Sequence, residues 1–451
     1  MRTIIFLTVI FLILAYNSDA QRVSVSGTKF LVNGEEIVMN GANTPWNKWN
    51  DFGGNYSSSW WDNEFKKIKD AGGNSTRIWI SCNGDVGLKI SADGTVTGAT
   101  TEFWSHLSDM FRLAEKNKIY IKATLLSFDH FKNSHTTYQS WRNMISSDEK
   151  VSSFISNYVN PFVAKYKNNP YLWSIDVCNE IEWVNQNTEC GNIPWARLQY
   201  LVARTASAVH DSSNVLVTLG SAAIKWNSPK YEGNFWSDAS LKAQFDKTNS
   251  RLDFYSPHFY GWTVKWFGNF ALDKSPADYG INDRPCVIGE NPAKGVFNDA
   301  ANPTLVVPAS EMFVASYKKG WKGVMPWTSN GVDSNGNLND FKEGLQAFEK
   351  LYPGLIDPGI STGFSPFKDK NNTNILMDKI YPNPSNGQFM VVLSNWDDVV
   401  LQLADKSGKI LFKKKAENNT EDFYFGILAK GMYFFSAIQN GRAETKKIQV
   451  I

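Results

Sequence analysis

The stretch Leu172-Trp173-Ser174-Ile175-Asp176-Val177-Cys178-Asn179-Glu180 decides the fold. Residues 172–177 form a short, mostly apolar run of strand length that ends in the polar pair Asn179-Glu180. Parallel sheets bury both faces of their strands, which then read as such runs. Outward from it, similar runs recur at 37–42, 75–80, 119–125, 215–219, 252–258, 286–289 and 323–327, which makes eight. Helical periodicities lie between them at 60–71, 101–118, 150–166, 194–210, 239–247 and 309–320. Pro194 suits the first turn of its helix, where a missing N–H costs nothing. Eight strand–helix repeats in about 315 residues fit an α/β chain folded as a (β/α)8 TIM barrel. A doubly wound sheet is the rival. In its dinucleotide-binding form it would carry a Gly-rich phosphate loop after the first strand, and none is present. Residues 22–32, with turns at Ser26-Gly27 and Asn33-Gly34, read as a hairpin closing the barrel floor.

In such a barrel, functional groups stand at the C-terminal ends of the strands. Those positions hold Arg77 on strand two, Asn179-Glu180 on strand four and His258-Phe259-Tyr260 on strand six. Strand seven ends in Glu290 and strand eight in Trp327. Glu180 and Glu290 are thus expected to face one another across the mouth. Paired carboxylates suit glycosidic cleavage, where one is protonated to release the leaving sugar and the other is ionised. A gap of about 5–5.5 Å gives retention and a wider one inversion.

The blocks Val177-Cys178-Asn179-Glu180, Pro257-His258-Phe259-Tyr260, Val287-Ile288-Gly289-Glu290 and Met325-Pro326-Trp327-Thr328 resemble family 5 glycoside hydrolases of clan A. The likeness runs over roughly residues 27–350. It implies Glu180 as general acid/base and Glu290 as nucleophile, with Asn179 on the sugar 2-hydroxyl. It also implies that Arg77 and Tyr260 keep Glu290 ionised, that His258 touches Glu180 or substrate, and that Trp327 floors the cleavage point. His130 arrives late for the family's strand-three histidine, and Ile181 replaces the usual proline after Asn-Glu. Asp176 reads as a buried structural acid and Glu182 as a loop carboxylate.

The opening from Gly27-Thr28-Lys29-Phe30 to Asn40-Gly41-Ala42-Asn43 is similar to the start of family 5 mannanases. The expected activity is therefore a retaining endo-β-1,4-glycanase acting on plant-type polysaccharide, with β-mannan or glucomannan ahead of β-1,4-glucan. No cofactor or metal is expected. A non-catalytic secreted polysaccharide-binding protein is the alternative, although both carboxylates are present. A chitinase-like reaction needs Asp two residues before the catalytic Glu, and Cys178 stands there. Metal-dependent hydrolysis needs clustered His at strand ends, whereas the five His are scattered.

Over 451 residues, 46 Lys+Arg against 44 Asp+Glu leave a net charge of +2, so no nucleic-acid partner is expected. The 17 Trp stand out, and all but Trp396 precede residue 353. Most read as core; Trp46, Trp49, Trp183, Trp262 and Trp266 flank strand ends and read equally as sugar platforms or as core packing. Four cysteines show no CxxC pattern, and Cys82 with Cys190, both in Gly/Asn-rich loops, is the preferred disulfide.

Residues 1–20 read as a secretory signal: Arg2, an apolar run from Ile4 to Ala15, then Ser18-Asp19-Ala20. The domain reading is a catalytic barrel at 21–352, a linker at 353–374 and a small β-sandwich at 375–451. Short strands are expected there at 389–393, 399–403, 410–414, 423–425, 432–437 and 446–450. The blocks Ile380-Tyr381-Pro382-Asn383-Pro384-Ser385-Asn386-Gly387, Asp405-Lys406-Ser407-Gly408-Lys409 and Lys430-Gly431-Met432-Tyr433 resemble the sorting domain of type IX secretion substrates. That resemblance implies the secretion machinery as a partner and a secreted or cell-surface location. The chain is expected to act as a monomer.

Overall fold

In the computed structural model of the chain, the apolar runs assemble side by side. A parallel sheet is ordered Ser256–Pro257, Leu216–Ser221, Leu172–Asn179, Tyr120–Ser127, Ser75–Trp79, Gly41–Asn43. Parallel bridges Tyr255 to Cys286, His258 to Glu290, Ile288 to Val324 and Asn43 to Trp327 carry the chain through segments seven and eight and close the ring. The (β/α)8 barrel is thus complete, with its last three segments paired by a few hydrogen bonds each. The structure describes residues 22–299, 302–358 and 377–451, apart from breaks at 382, 386, 394–397, 418–419, 425–427 and 440–441.

Strand four is buried along its whole length, Leu172–Asn179, as a run enclosed on both faces must be. Ile175 and Val177 join the large cluster packed under the outer helices. The helix Thr101–Asn117 shows how those helices are set. Thr100 caps its start by accepting from Phe103 N, and Phe103, Leu107, Met110, Phe111 and Ala114 form its buried stripe. Pro194 is the N-cap of Trp195–Ser212, one position earlier than expected.

The start of the chain forms three antiparallel strands, Ser24–Ser26, Lys29–Val32 and Glu35–Ile37. They plug the barrel floor. Phe30 meets Trp173 and Phe254 edge-on at 5.3 and 5.1 Å, and those two rings stack at 4.9 Å. Residues 353–358, read as the opening of the linker, instead hold a short helix, Pro353–Ile356. Leu355 O accepts from Val38 N, and Ile356 O accepts from Asn74 Nδ2. The rest of the expected linker, the expected signal segment and Trp396 lie outside the described residues.

Two compact units divide at Ser361/Thr362. The second contains a three-stranded sheet (Met377–Tyr381, Gln388–Leu393, Thr420–Tyr424) and a four-stranded sheet. The latter is ordered Ile410–Lys415, Val400–Asp405, Gly431–Gln439, Arg442–Val450. Phe389, Val391, Leu401, Leu403, Phe435 and Ile448 share its core. Strand Met377–Tyr381 was not expected from the sequence, because Asp378 and Lys379 break its alternation.

The expected Cys82–Cys190 disulfide is absent: all four cysteines are free and buried. Cys82 accepts from Asn50 N at 3.3 Å and packs with Trp79 and Trp327, whereas Cys190 belongs to the main cluster. Each behaves as a small hydrophobe in its own environment. Among the described residues, no helix is long and apolar enough to cross a membrane.

Candidate active site

Arg77 leaves strand two completely buried, and its guanidinium organises the barrel mouth. Nε donates to Asp176 Oδ2 at 2.7 Å, Nη1 to Glu290 Oε1 at 2.6 Å and Asn43 Oδ1 at 3.1 Å, and Nη2 to Asn179 Oδ1 at 2.8 Å. Strands one, two, four and seven are thereby tied at one group. Space for it depends on Gly220, where a Cβ would fall 2.4 Å from Arg77 Nη2 and 2.9 Å from Asp176 Oδ2. Asp176 is the buried structural acid expected, also accepting from Gly220 N at 2.8 Å.

Glu180 and Glu290 do face one another. One carboxylate oxygen of each, with one ring nitrogen of His258, lie within 4.8 Å of one another. Their surroundings differ. Glu290 accepts from Arg77 on Oε1 and from Tyr260 Oη on Oε2 at 2.8 Å. Glu180 accepts from Trp183 Nε1 on Oε2 at 2.8 Å, and its Oε1 lies 2.8 Å from His258 Nδ1. Burial pushes Glu180 up to about 7, against the hydrogen bond from Trp183 and the more distant charge of Arg77. Burial also raises Glu290, but there the Arg77 ion pair and the Tyr260 hydroxyl oppose it at contact distance.

His258 is buried and pushed down to about 3 by desolvation, so its ring is neutral. Its Nε2 is buried without a partner. The tautomer with the proton on Nδ1 leaves only a bare lone pair there and donates to Glu180. Trp327 lies at the mouth, edge-on to Trp79 at 5.0 Å and to Trp46 at 6.0 Å. All seven residues singled out from the strand ends, Arg77, Asn179, Glu180, His258, Tyr260, Glu290 and Trp327, therefore meet in one place.

Other expectations sort differently. His130 is a structural histidine: buried, pushed to about 3 by desolvation, it bonds Ser81 Oγ and Ser127 N. Glu182 is no loop carboxylate. It is fully buried and accepts from Ser221 Oγ, Ala222 N and Trp236 Nε1, and burial raises it to about 7. Trp46, Trp183 and Trp262 are half-buried in aromatic clusters, while Trp49 is 37% and Trp266 66% exposed.

Three contributors were missed. Asn43 donates to Gly289 O and Met325 O while accepting from Arg77, so it locks strands one, seven and eight together. Trp79 lies under the Arg77 guanidinium at 4.2 Å. Both stand at strand ends, where the rule that found Arg77 applies equally. Lys122, buried in the barrel and bonded to Ser256 Oγ, is pushed to about 7 by desolvation and by Arg77.

The family model described as Cellulase (glycosyl hydrolase family 5) matches residues 31–300, more than half of the chain. The chain belongs to glycosyl hydrolase family 5. It is a glycoside hydrolase, and its substrate is a polysaccharide. A mannan endo-1,4-beta-mannosidase of Cryptopygus antarcticus is 25% identical over 362 residues, 73% of this chain and 91% of that protein. A mannan endo-1,4-beta-mannosidase of Mytilus edulis is 28% identical over 362 residues, 74% of this chain and 94% of that protein. The solved beta-mannanase of Mytilus edulis superimposes on this family 5 hydrolase with a TM-score of 0.62. That match has 26% identity and covers 73% of this chain and 97% of the other. Residues 379–451 match the secretion system C-terminal sorting domain, which marks the enzyme for export to the surface or medium.

Proposed function

We propose that this enzyme cleaves internal β-1,4 linkages of a β-mannan or glucomannan by double displacement, with Glu290 as nucleophile and Glu180 as acid/base. The observation that carries the reading is the approach of the two carboxylates to within 4.8 Å. A nearest-oxygen approach this short favours the about 5–5.5 Å carboxyl separation of retaining enzymes over the about 6.5–9.5 Å that leaves room for an inverting water. The unequal surroundings support the division of roles. A carboxylate gripped by a buried cation and a phenol suits attack on the anomeric carbon. A carboxyl raised to about 7, with only neutral N–H partners, suits proton donation.

In the first step a Glu290 oxygen bonds to the anomeric carbon as the glycosidic C–O bond breaks. The Glu180 proton passes to the departing oxygen. In the second, Glu180 takes a proton from water, the resulting oxygen attacks the anomeric carbon, and Glu290 leaves as carboxylate. Asn179, its Oδ1 held by Arg77, offers its amide N–H to the sugar 2-hydroxyl. Tyr260 stays protonated, since burial holds its phenol well above the ordinary range, and Trp327 floors the sugar.

Mannan is favoured by the substrates named for the two relatives; β-1,4-glucan is the second reading, favoured by the family description. Residues 1–20 are read as a cleaved signal, 21–352 as the catalytic domain and 353–374 as the linker before the sorting domain, in a monomeric enzyme. The test is reducing-sugar release from galactomannan, glucomannan, carboxymethylcellulose and xylan in parallel. Release from the two mannans ahead of carboxymethylcellulose is expected. The opposite order overturns the mannan reading, and no release from any overturns the hydrolytic one.

A further inference from the structure

Glu180 occupies a backbone conformation that few side-chain-bearing residues adopt, with φ at +48° one residue beyond strand four. Such geometry persists only where the surroundings over-determine it. Its amide donates to Gly220 O at 2.7 Å, and its carbonyl accepts from Trp183 N at 3.1 Å. The turn so formed brings Trp183 back over its starting residue, and the indole Nε1 reaches Glu180 Oε2 at 2.8 Å. The ring lies edge-on to Trp226 at 5.8 Å and tilted against Trp262 at 6.1 Å, contacts that hold the donor toward Glu180.

We infer that Trp183 is a positioning residue whose indole N–H fixes the Glu180 carboxyl and stabilises it once its proton has gone. The inference rests on the reading of Glu180 as acid/base. After the first step a new negative charge stands on a carboxylate only 16% exposed. The one nearby guanidinium, Arg77, is already bonded to Glu290, Asp176, Asn43 and Asn179. Two neutral donors remain for Glu180: His258 Nδ1 on one oxygen and Trp183 Nε1 on the other. An indole N–H has no acceptor function and does not titrate in the working range, so it supports the ionised form in both steps.

The test uses the full chain and compares pH profiles. Trp183→Phe keeps an aromatic ring at the position and removes the donor. It should move the alkaline limb of kcat/KM up by about one pH unit and lower kcat by about tenfold with little change in KM. Trp226→Phe perturbs the same aromatic wall without touching the bond, and its limb should stay in place. As a second readout, independent of whether Trp183→Phe folds, an indole 15N–1H resonance of the wild type should titrate with the alkaline limb, besides that of Trp236, which follows Glu182. It should lose that titration in Glu180→Gln, while the Trp236 signal keeps its own. An unmoved limb in Trp183→Phe, an equal shift in Trp226→Phe, or no indole titration that Glu180→Gln removes overturns the inference. A fully active Glu180→Gln instead overturns the acid/base reading on which it stands.

Discussion

Arg77 Nη1 lies 2.6 Å from Glu290 Oε1, and the guanidinium is sealed from solvent. The same cation also pairs with Asp176, so one positive charge serves two buried carboxylates. Asn43 and Asn179 complete the set of acceptors around its planar fork. Geometry of this kind cannot be reproduced by a point charge on a flexible stem.

Arg77→Lys should therefore be severe despite conserving charge. Breaking a buried pair typically costs about 3–5 kcal/mol. A lowered midpoint in chemical denaturation, with kcat reduced at least about 10²-fold in whatever remains folded, is the expected outcome. Near-wild-type stability would mean that the ion pairs are replaceable.

Glu290→Gln should abolish turnover while the fold survives. Glu180→Ala should lower kcat/KM on polysaccharide by about 10²–10⁴-fold. On an aryl glycoside with a good leaving group, azide should restore the second step and yield a glycosyl azide of retained anomeric configuration. A product of inverted configuration would exclude double displacement.

The pH profile carries a defined sign. In its proposed role as acid Glu180 works protonated, and burial raises it to about 7, so activity should fall as pH rises through about 7. As the proposed nucleophile Glu290 works ionised, and burial raises it above the ordinary 4.5, so the acid limb should lie above 4.5. In Glu180→Ala, assayed on an activated substrate, the alkaline limb should vanish and the acid limb remain.

Glu182 makes a separate prediction about stability. Its folded value of about 7 exceeds the ordinary 4.5, so its contribution is present in full below 4.5 and lost as pH rises through about 7. Glu182→Gln removes an acceptor facing three donors and should cost about 1–3 kcal/mol. The gap in Tm between wild type and this variant should narrow between pH 4.5 and 7. A gap that widens over that range would show that the carboxyl is ionised throughout.

Much of this molecule can be read along the chain because strand ends are local features. The run 172–177 closing on Asn179-Glu180 marks both an element and what stands at its tip. What escaped depends on partners distant in sequence. Glu182, two residues beyond Glu180, looks like any loop carboxylate until Ser221, Ala222 and Trp236 enclose it. Lys122 looks out of place in an apolar strand until Ser256 and Arg77 are seen beside it. Strand one is shorter than its apolar run suggests, Gly41–Asn43 against 37–42, because Ile37 and Met39 pack into the floor. The disulfide expectation failed because loop composition says nothing about which cluster buries each thiol.

The aromatic plug of Phe30, Trp173 and Phe254 makes the barrel a vessel with one opening. A polymer therefore reaches the two carboxylates only from the rim, where the strands end. With cleavage at internal linkages, as proposed above, solutions of a viscous mannan should thin long before their reducing ends accumulate.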